Sequence, residues 1–231
     1  MILLDICDIC TLPAWIEAGP GFVAVGGTGA RVLQSDSMLR PIENLAPVRR
    51  GMTAREYFAL PENHPRCELI EGELWMAPAP FTIHQDLVRT FTRLLDTHCL
   101  RTGCGTMWPA PVDVRFDDGT VLQPDIVFIR AGRARERDIR GPVVIVPDLC
   151  IEIVSPDSSS RDHVRKRRIY ERHGVAEYWI ADPREKLLAF YRLRHGRYEE
   201  IAPRAGRYRS EAVPGFTLAL ARFWREARGK R

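Results

Sequence analysis

Asp148-Leu149-Cys150-Ile151-Glu152-Ile153-Val154 is an apolar, strand-length run with a carboxylate, Glu152, near its centre. A second run, Gln123-Pro124-Asp125-Ile126-Val127-Phe128-Ile129, has the same character and carries Asp125. Near-continuous Val, Ile, Leu and Phe marks strands covered on both faces, so both runs read as interior strands of a sheet. In the first, Cys150, Glu152 and Val154 share one face, and Leu149, Ile151 and Ile153 share the other. Burying an ionised carboxylate is costly unless it is paired or bound to metal. Two such acids, followed by Lys166 on the next predicted helix, predict a divalent-metal site.

Downstream, Ser155-Pro156-Asp157-Ser158-Ser159-Ser160 ends the strand and offers N-cap candidates for a helix from Arg161 to His173, with Gly174 as its stop. Ile169 and Tyr170 follow Lys166 by three and four residues, and Asp162 precedes it by four. Lys166 therefore lies on the stripe that carries the large inward-seeking side chains. Arg165, Arg168 and Arg172 fall on another stripe, placed for solvent or phosphate, and are the candidate nucleic-acid-binding residues. Glu177-Tyr178-Trp179-Ile180 is a further strand, a terminal hairpin turns about His195-Gly196, and a short final helix holds Phe223 and Trp224.

Upstream, Cys67 to Met76 forms two strand-like runs around Gly72, a predicted hairpin. Thr82 and Gln85 have the spacing of a capping box, opening a helix with the stripe Ile83, Leu87, Phe91, Leu94 and Leu95. Val112 to Phe116 and Gln123 to Ile129 read as strands joined around Asp118-Gly119. The middle of the chain thus runs helix, strand, strand, strand, helix, strand, and a mixed β-sheet flanked by helices buries that order of elements. The fold class is α/β (α+β), with extra N-terminal and C-terminal hairpins.

Residues 1–51 differ from the rest, with Gly and Pro punctuation and no sustained period. They read as a poorly ordered extension ahead of a domain over 52–231. Thr53 and Glu56 make a capping box at that boundary, and Met52 is itself a candidate start of the protein. Asp5 and Asp8 interrupt any leader-like apolar run, and no uncharged stretch is long enough to span a bilayer. A cytoplasmic location and no membrane partner are expected. The six cysteines lack the compact spacing of a secreted scaffold and are expected to be reduced thiols. A net charge of +4 does not by itself announce a nucleic-acid binder. The arginines are nonetheless clustered, at 130–140, 161–172 and the C-terminus.

Hydrolysis of a phosphodiester develops negative charge on the attacking and leaving oxygens. Magnesium, or manganese in its place, offsets that charge when carboxylates hold it with coordination positions left open. A nearby lysine stabilises the developing charge or orients water. Asp125 and Glu152 would supply the metal-binding oxygens, and Lys166 the amine.

Several motifs then occur in order: Glu68-Leu69-Ile70-Glu71-Gly72-Glu73-Leu74, His84-Gln85, Pro111-Val112-Asp113-Val114, Gln123-Pro124-Asp125 and Glu152-Ile153-Val154-Ser155-Pro156. Asp162, Lys166 and Tyr170 follow, then Gly174-Val175-Ala176-Glu177-Tyr178-Trp179-Ile180 and Asp182-Pro183. Over residues 52 to 220 the chain resembles the Uma family, a group assigned as restriction endonucleases within the PD-(D/E)XK nuclease superfamily. The resemblance implies a restriction-endonuclease-like core and magnesium-dependent cleavage of DNA. It implies Asp125 and Glu152 as metal carboxylates, Lys166 as the catalytic lysine, and Glu68 and His84 as accessory site residues. One departure is visible. The superfamily's usual lysine lies two residues after the acid, where this chain has Val154.

Two other readings compete. A catalytically inactive nuclease-fold module would bind nucleic acid or a protein partner. A structural ion-pair cluster would leave the Tyr178-Trp179 strand and the C-terminal hairpin as a homodimer interface. Cys7-Asp8-Ile9-Cys10 has no second pair, and Gly26-Gly27-Thr28-Gly29 lacks the third glycine of a dinucleotide fingerprint. Neither carries a function.

Overall fold

The computed structural model describes residues 46–77, 79–134, 141–155 and 160–227, with the backbone alone for residues 134 and 160–162. The extension over 1–45, the Cys7/Cys10 pair, the Gly26–Gly29 run and Arg135, Arg137 and Arg140 lie outside the described residues.

A short strand β1 (Arg49–Arg50) precedes helix α1 (Ala54–Phe58), which opens with the expected capping box. Thr53 Oγ1 accepts from the Glu56 amide, and Glu56 Oε2 accepts from the Thr53 amide at 2.8 Å. Strands β2 (Cys67–Ile70) and β3 (Glu73–Met76) form a hairpin whose turn residues, Glu71 and Gly72, both have positive φ, 52° and 80°. That is the backbone a two-residue hairpin turn needs to match strand twist. The long helix α2 (Thr82–Thr102) follows, ended by left-handed Gly103. Its start differs from expectation. The N-cap is Phe81, and no side chain bonds the end, so Thr82 and Gln85 form no capping box. Thr82 already lies inside the helix, so its hydroxyl is one position too late to cap.

Strand β4 (Gly105–Pro109) comes next, then the hairpin of β5 (Val114–Asp117) and β6 (Thr120–Leu122). The run from Gln123 to Ile129 is not one strand. Gln123, Pro124 and Asp125 form a connector, and β7 (Ile126–Arg130) begins after it in a different sheet. Pro124 has no amide to donate to a ladder, which suits a break at this point. Helix α3 (Ala131–Ala134) leads towards β8 (Leu149–Ile153). Helix α4 (Ser160–Arg172) then crosses to β9 (Glu177–Asp182), which pairs parallel to β8. The chain finishes with β10 (Leu187–Arg194), β11 (Arg197–Glu200), β12 (Arg207–Arg209), β13 (Thr217–Ala219) and α5 (Leu220–Ala227).

Two sheets organise the fold. One has the order β1-β3-β2-β6-β5; the other, mixed, has the order β11-β10-β9-β8-β7-β4. In the second, Leu149, Ile151 and Ile153 pack with Leu87, Phe91 and Leu95 of α2 and with Phe223 of α5. Cys150, on the alternate face, joins Ile169 and Tyr170 of α4 together with Ile70 and Leu122 of the first sheet. The two-residue alternation of β8 therefore divides two cores, and Glu152 shares its alternation with Cys150. Strand β9 is interior, and Tyr178 and Trp179 are both fully buried. The proposed dimer face on that strand is thus corrected: its side chains are the protein's own core.

Candidate active site

The antiparallel register pairs Ile126 with Ile151 and Val127 with Cys150. One residue before that pairing begins, Asp125 lies at the end of β8 that carries Glu152, bonded to the Ile153 amide. Asp125 sits at the end of the connector, held by Ala110 N donating to its carbonyl at 2.9 Å. Its Oδ2 accepts from the Ile153 amide at 2.8 Å and lies 3.1 Å from His84 Nε2. His84 comes from the first turn of α2 and is buried. Arg66 Nη2 is 4.0 Å from the other oxygen of Asp125.

Lys166 points inward, as its helical stripe predicted, with 6% of its surface exposed. Its ammonium lies 2.9 Å and 3.0 Å from the two oxygens of Glu68 and 3.4 Å from both oxygens of Glu152. Glu68 belongs to β2 in the first sheet, and its Oε1 also accepts from the Gln123 amide at 2.7 Å. One ammonium thus joins acids from two sheets. Tyr170, one turn after Lys166, donates its hydroxyl to Glu152 Oε1 at 2.6 Å. Sequence reading placed Tyr170 on the inward stripe as a packing residue only; its four-residue spacing from Lys166 was the signal that both reach one target.

The structure therefore brings Glu68, Glu152 and Lys166 into direct contact, with Asp125 and His84 joined to the cluster through β8. The electrostatics are unbalanced. Burial pushes the Glu152 carboxyl up to about 8; Lys166 opposes that rise, while Asp125 and Glu68 add to it. Glu68 and Glu152 share the Lys166 ammonium, while Asp125 has His84 at 3.1 Å and Arg66 at 4.0 Å; a proton or a divalent cation would relieve the charge that remains on the buried carboxylates. Among the described residues, no three His, Cys, Asp or Glu side chains form a metal cage of their own. Magnesium does not require one, because it is commonly held by one or two carboxylates with water completing the shell. Asp125 and Glu152 are the carboxylates here that could take part in such a shell.

The arginine stripe of α4 is partly engaged in ion pairs. Arg165 bonds Glu71 Oε2 at 3.1 Å, Glu73 Oε2 at 3.0 Å and the Ile70 carbonyl at 2.9 Å, with its guanidinium over the Trp75 ring. Arg172 bonds Glu71 Oε1 at 2.9 Å. Both tie α4 to the β2–β3 hairpin, which presents paired acids within reach of the helix; Arg165 is half-buried there and Arg172 stays exposed. Arg168 is exposed.

A mixed sheet with a parallel β8–α4–β9 crossover, flanked by α2 and α4, is a restriction-endonuclease-like core. The chain belongs to the Uma2 family, described as "Putative restriction endonuclease", which it matches over residues 54–221. A solved structure from Anabaena variabilis, described as "a putative nuclease belonging to DUF820", has the same fold. It aligns with a TM-score of 0.65 at 24% identity, over 76% of this chain and 99% of that one. Comparison with curated proteins finds no match. No helix among the described residues is long and apolar enough to cross a membrane.

Proposed function

We propose that the protein is an endonuclease that hydrolyses phosphodiester bonds of DNA with magnesium, or manganese in its place. The observation that supports this reading is the contact of Lys166 with Glu152, beside an Asp125 whose carboxylate bonds the amide of Ile153, the residue next to Glu152. Asp125 and Glu152 would hold the ion, which when bound supplies positive charge against the phosphate and makes water more acidic. Lys166 would hold positive charge beside the phosphate oxygens as negative charge develops there. Glu68 keeps that ammonium in place, and His84 steadies Asp125. The superfamily's lysine position is Val154, yet Lys166 Nζ stands 3.4 Å from Glu152, so α4 supplies the amine that the strand lacks.

The test is nicking of supercoiled DNA by purified wild type, Asp125→Asn and Glu152→Gln with magnesium and with manganese. Wild type is expected to nick only with metal, and both variants to fold and not cut. Equal cutting by all three overturns the assignment. Asp125 and Glu152 are each only 5% exposed, which favours a second reading, a nuclease-fold module that binds nucleic acid or a protein partner without hydrolysis. DNA binding by wild type with no cleavage in either metal would select it.

A further inference from the structure

We propose that Tyr170 is a positioning residue for the metal carboxylate Glu152, an inference that rests on the ion-binding role assigned above. Its ring is locked by packing: it lies 5.0 Å from the Tyr178 ring and 5.6 Å from that of Phe116, and the residue is fully buried. The hydroxyl donates to Glu152 Oε1 at 2.6 Å. Lys166, one turn earlier on α4, lies 3.4 Å from both oxygens of the same carboxylate. The helix therefore grips Glu152 at two points, and the grip is unequal. Tyr170 takes a lone pair of Oε1 only and so sets the rotation of the carboxylate plane. Oε2 keeps its lone pairs directed by Lys166 alone among the contacts just described. A donor that fixes a ligating oxygen's orientation raises ion affinity, and losing such a partner weakens it by about 10- to 100-fold.

Tyr178 supplies an internal control. It packs against Tyr170, but its own buried hydroxyl has no hydrogen-bond partner among the described residues. Tyr170→Phe and Tyr178→Phe thus each remove one buried hydroxyl from neighbouring rings, and only the first touches Glu152.

Manganese and magnesium titrations of wild type, Tyr170→Phe, Tyr178→Phe and Glu152→Gln, followed by calorimetry and by melting temperature without DNA, test this. Wild type is expected to bind the ion and Glu152→Gln to lose it. Tyr170→Phe should bind at least about 10-fold more weakly, and Tyr178→Phe as wild type does. A merely structural role would lower the melting temperature of Tyr170→Phe in chelator and leave its ion dissociation constant unchanged. That result overturns the inference while leaving the ion site standing. Absence of any ion response in wild type overturns both. If Tyr170→Phe does not fold, the near-ultraviolet tyrosine difference spectrum of wild type on ion addition decides, with no change counting against the proposal.

Discussion

Two buried acidic centres lie in the same mixed sheet, and they are built on opposite plans. Glu177, at the start of β9, is fully buried and amply supplied with donors. Its Oε1 accepts from the Glu211 amide at 2.6 Å, the Ala212 amide at 3.2 Å and Arg192 Nε at 3.3 Å. Its Oε2 accepts from Trp179 Nε1 at 3.0 Å and Ser210 Oγ at 2.9 Å. Around Glu152, by contrast, the Tyr170 hydroxyl and a lysine shared with Glu68 act as donors, and a third acid, Asp125, stands alongside. An acid that only holds a fold together acquires enough donors to offset its lost hydration. An acid whose counter-charge is shared with a second carboxylate keeps more capacity for a proton or a cation. The difference separates a structural carboxylate from a candidate ligand.

The largest expected effect is at the satisfied centre. Glu177→Ala should lower stability by roughly 3–5 kcal/mol, because it leaves Arg192 and several buried donors unpaired. A loss below about 1 kcal/mol in urea unfolding, the size of an ordinary surface pair, would break the contrast. At the other centre, a divalent ion in about 100-fold excess over its dissociation constant should stabilise wild type by about 2.7 kcal/mol. Asp125→Asn should abolish that gain, and a retained gain would place the ion elsewhere.

Chelator and pH sharpen the comparison further. The Glu152 carboxyl is raised from 4.5 to about 8 by burial, so the folded state holds its proton more tightly than the unfolded state does. The resulting stability is complete below pH 4.5 and is lost as pH rises through about 8. Without metal, wild type should lose more stability than Glu152→Gln over that window. Parallel stability curves for the two proteins would remove the excess charge from the account. The smallest effect is expected at Arg165→Ala, about 1 kcal/mol, since its ion pairs are partly exposed. The ion response should survive, because Lys166 still joins α4 to Glu68.

How much of this was legible beforehand differs by element. Strand β8 and the inward face of α4 were readable because apolar side chains recur there at the period of each structure, and Lys166 and Tyr170 follow that period. Strand β4 was not. It is short, begins at Gly105, ends at Pro109 and lies at a sheet edge, where proline is tolerated and no alternation is required. The Gln123–Ile129 run was misread as one strand because apolar content does not reveal a change of sheet. The partners of Arg165 were equally hidden. Helical spacing gave its stripe, but Glu71 and Glu73 come from a hairpin more than ninety residues earlier. Glu152 and Asp125 stood out as acids among hydrocarbons; that Asp125 bonds the amide next to Glu152 was not visible in either run.

The Gln123-Pro124-Asp125 connector carries one further consequence. It joins β6 of one sheet to β7 of the other, and both of its ends are fixed: the Gln123 amide bonds Glu68 Oε1 and the Asp125 carboxylate bonds the Ile153 amide. Losing or gaining a single residue there would leave every apolar contact type available and still unseat Asp125. The span is thus a three-residue bridge between the two sheets, anchored at each end by a carboxylate of the candidate site.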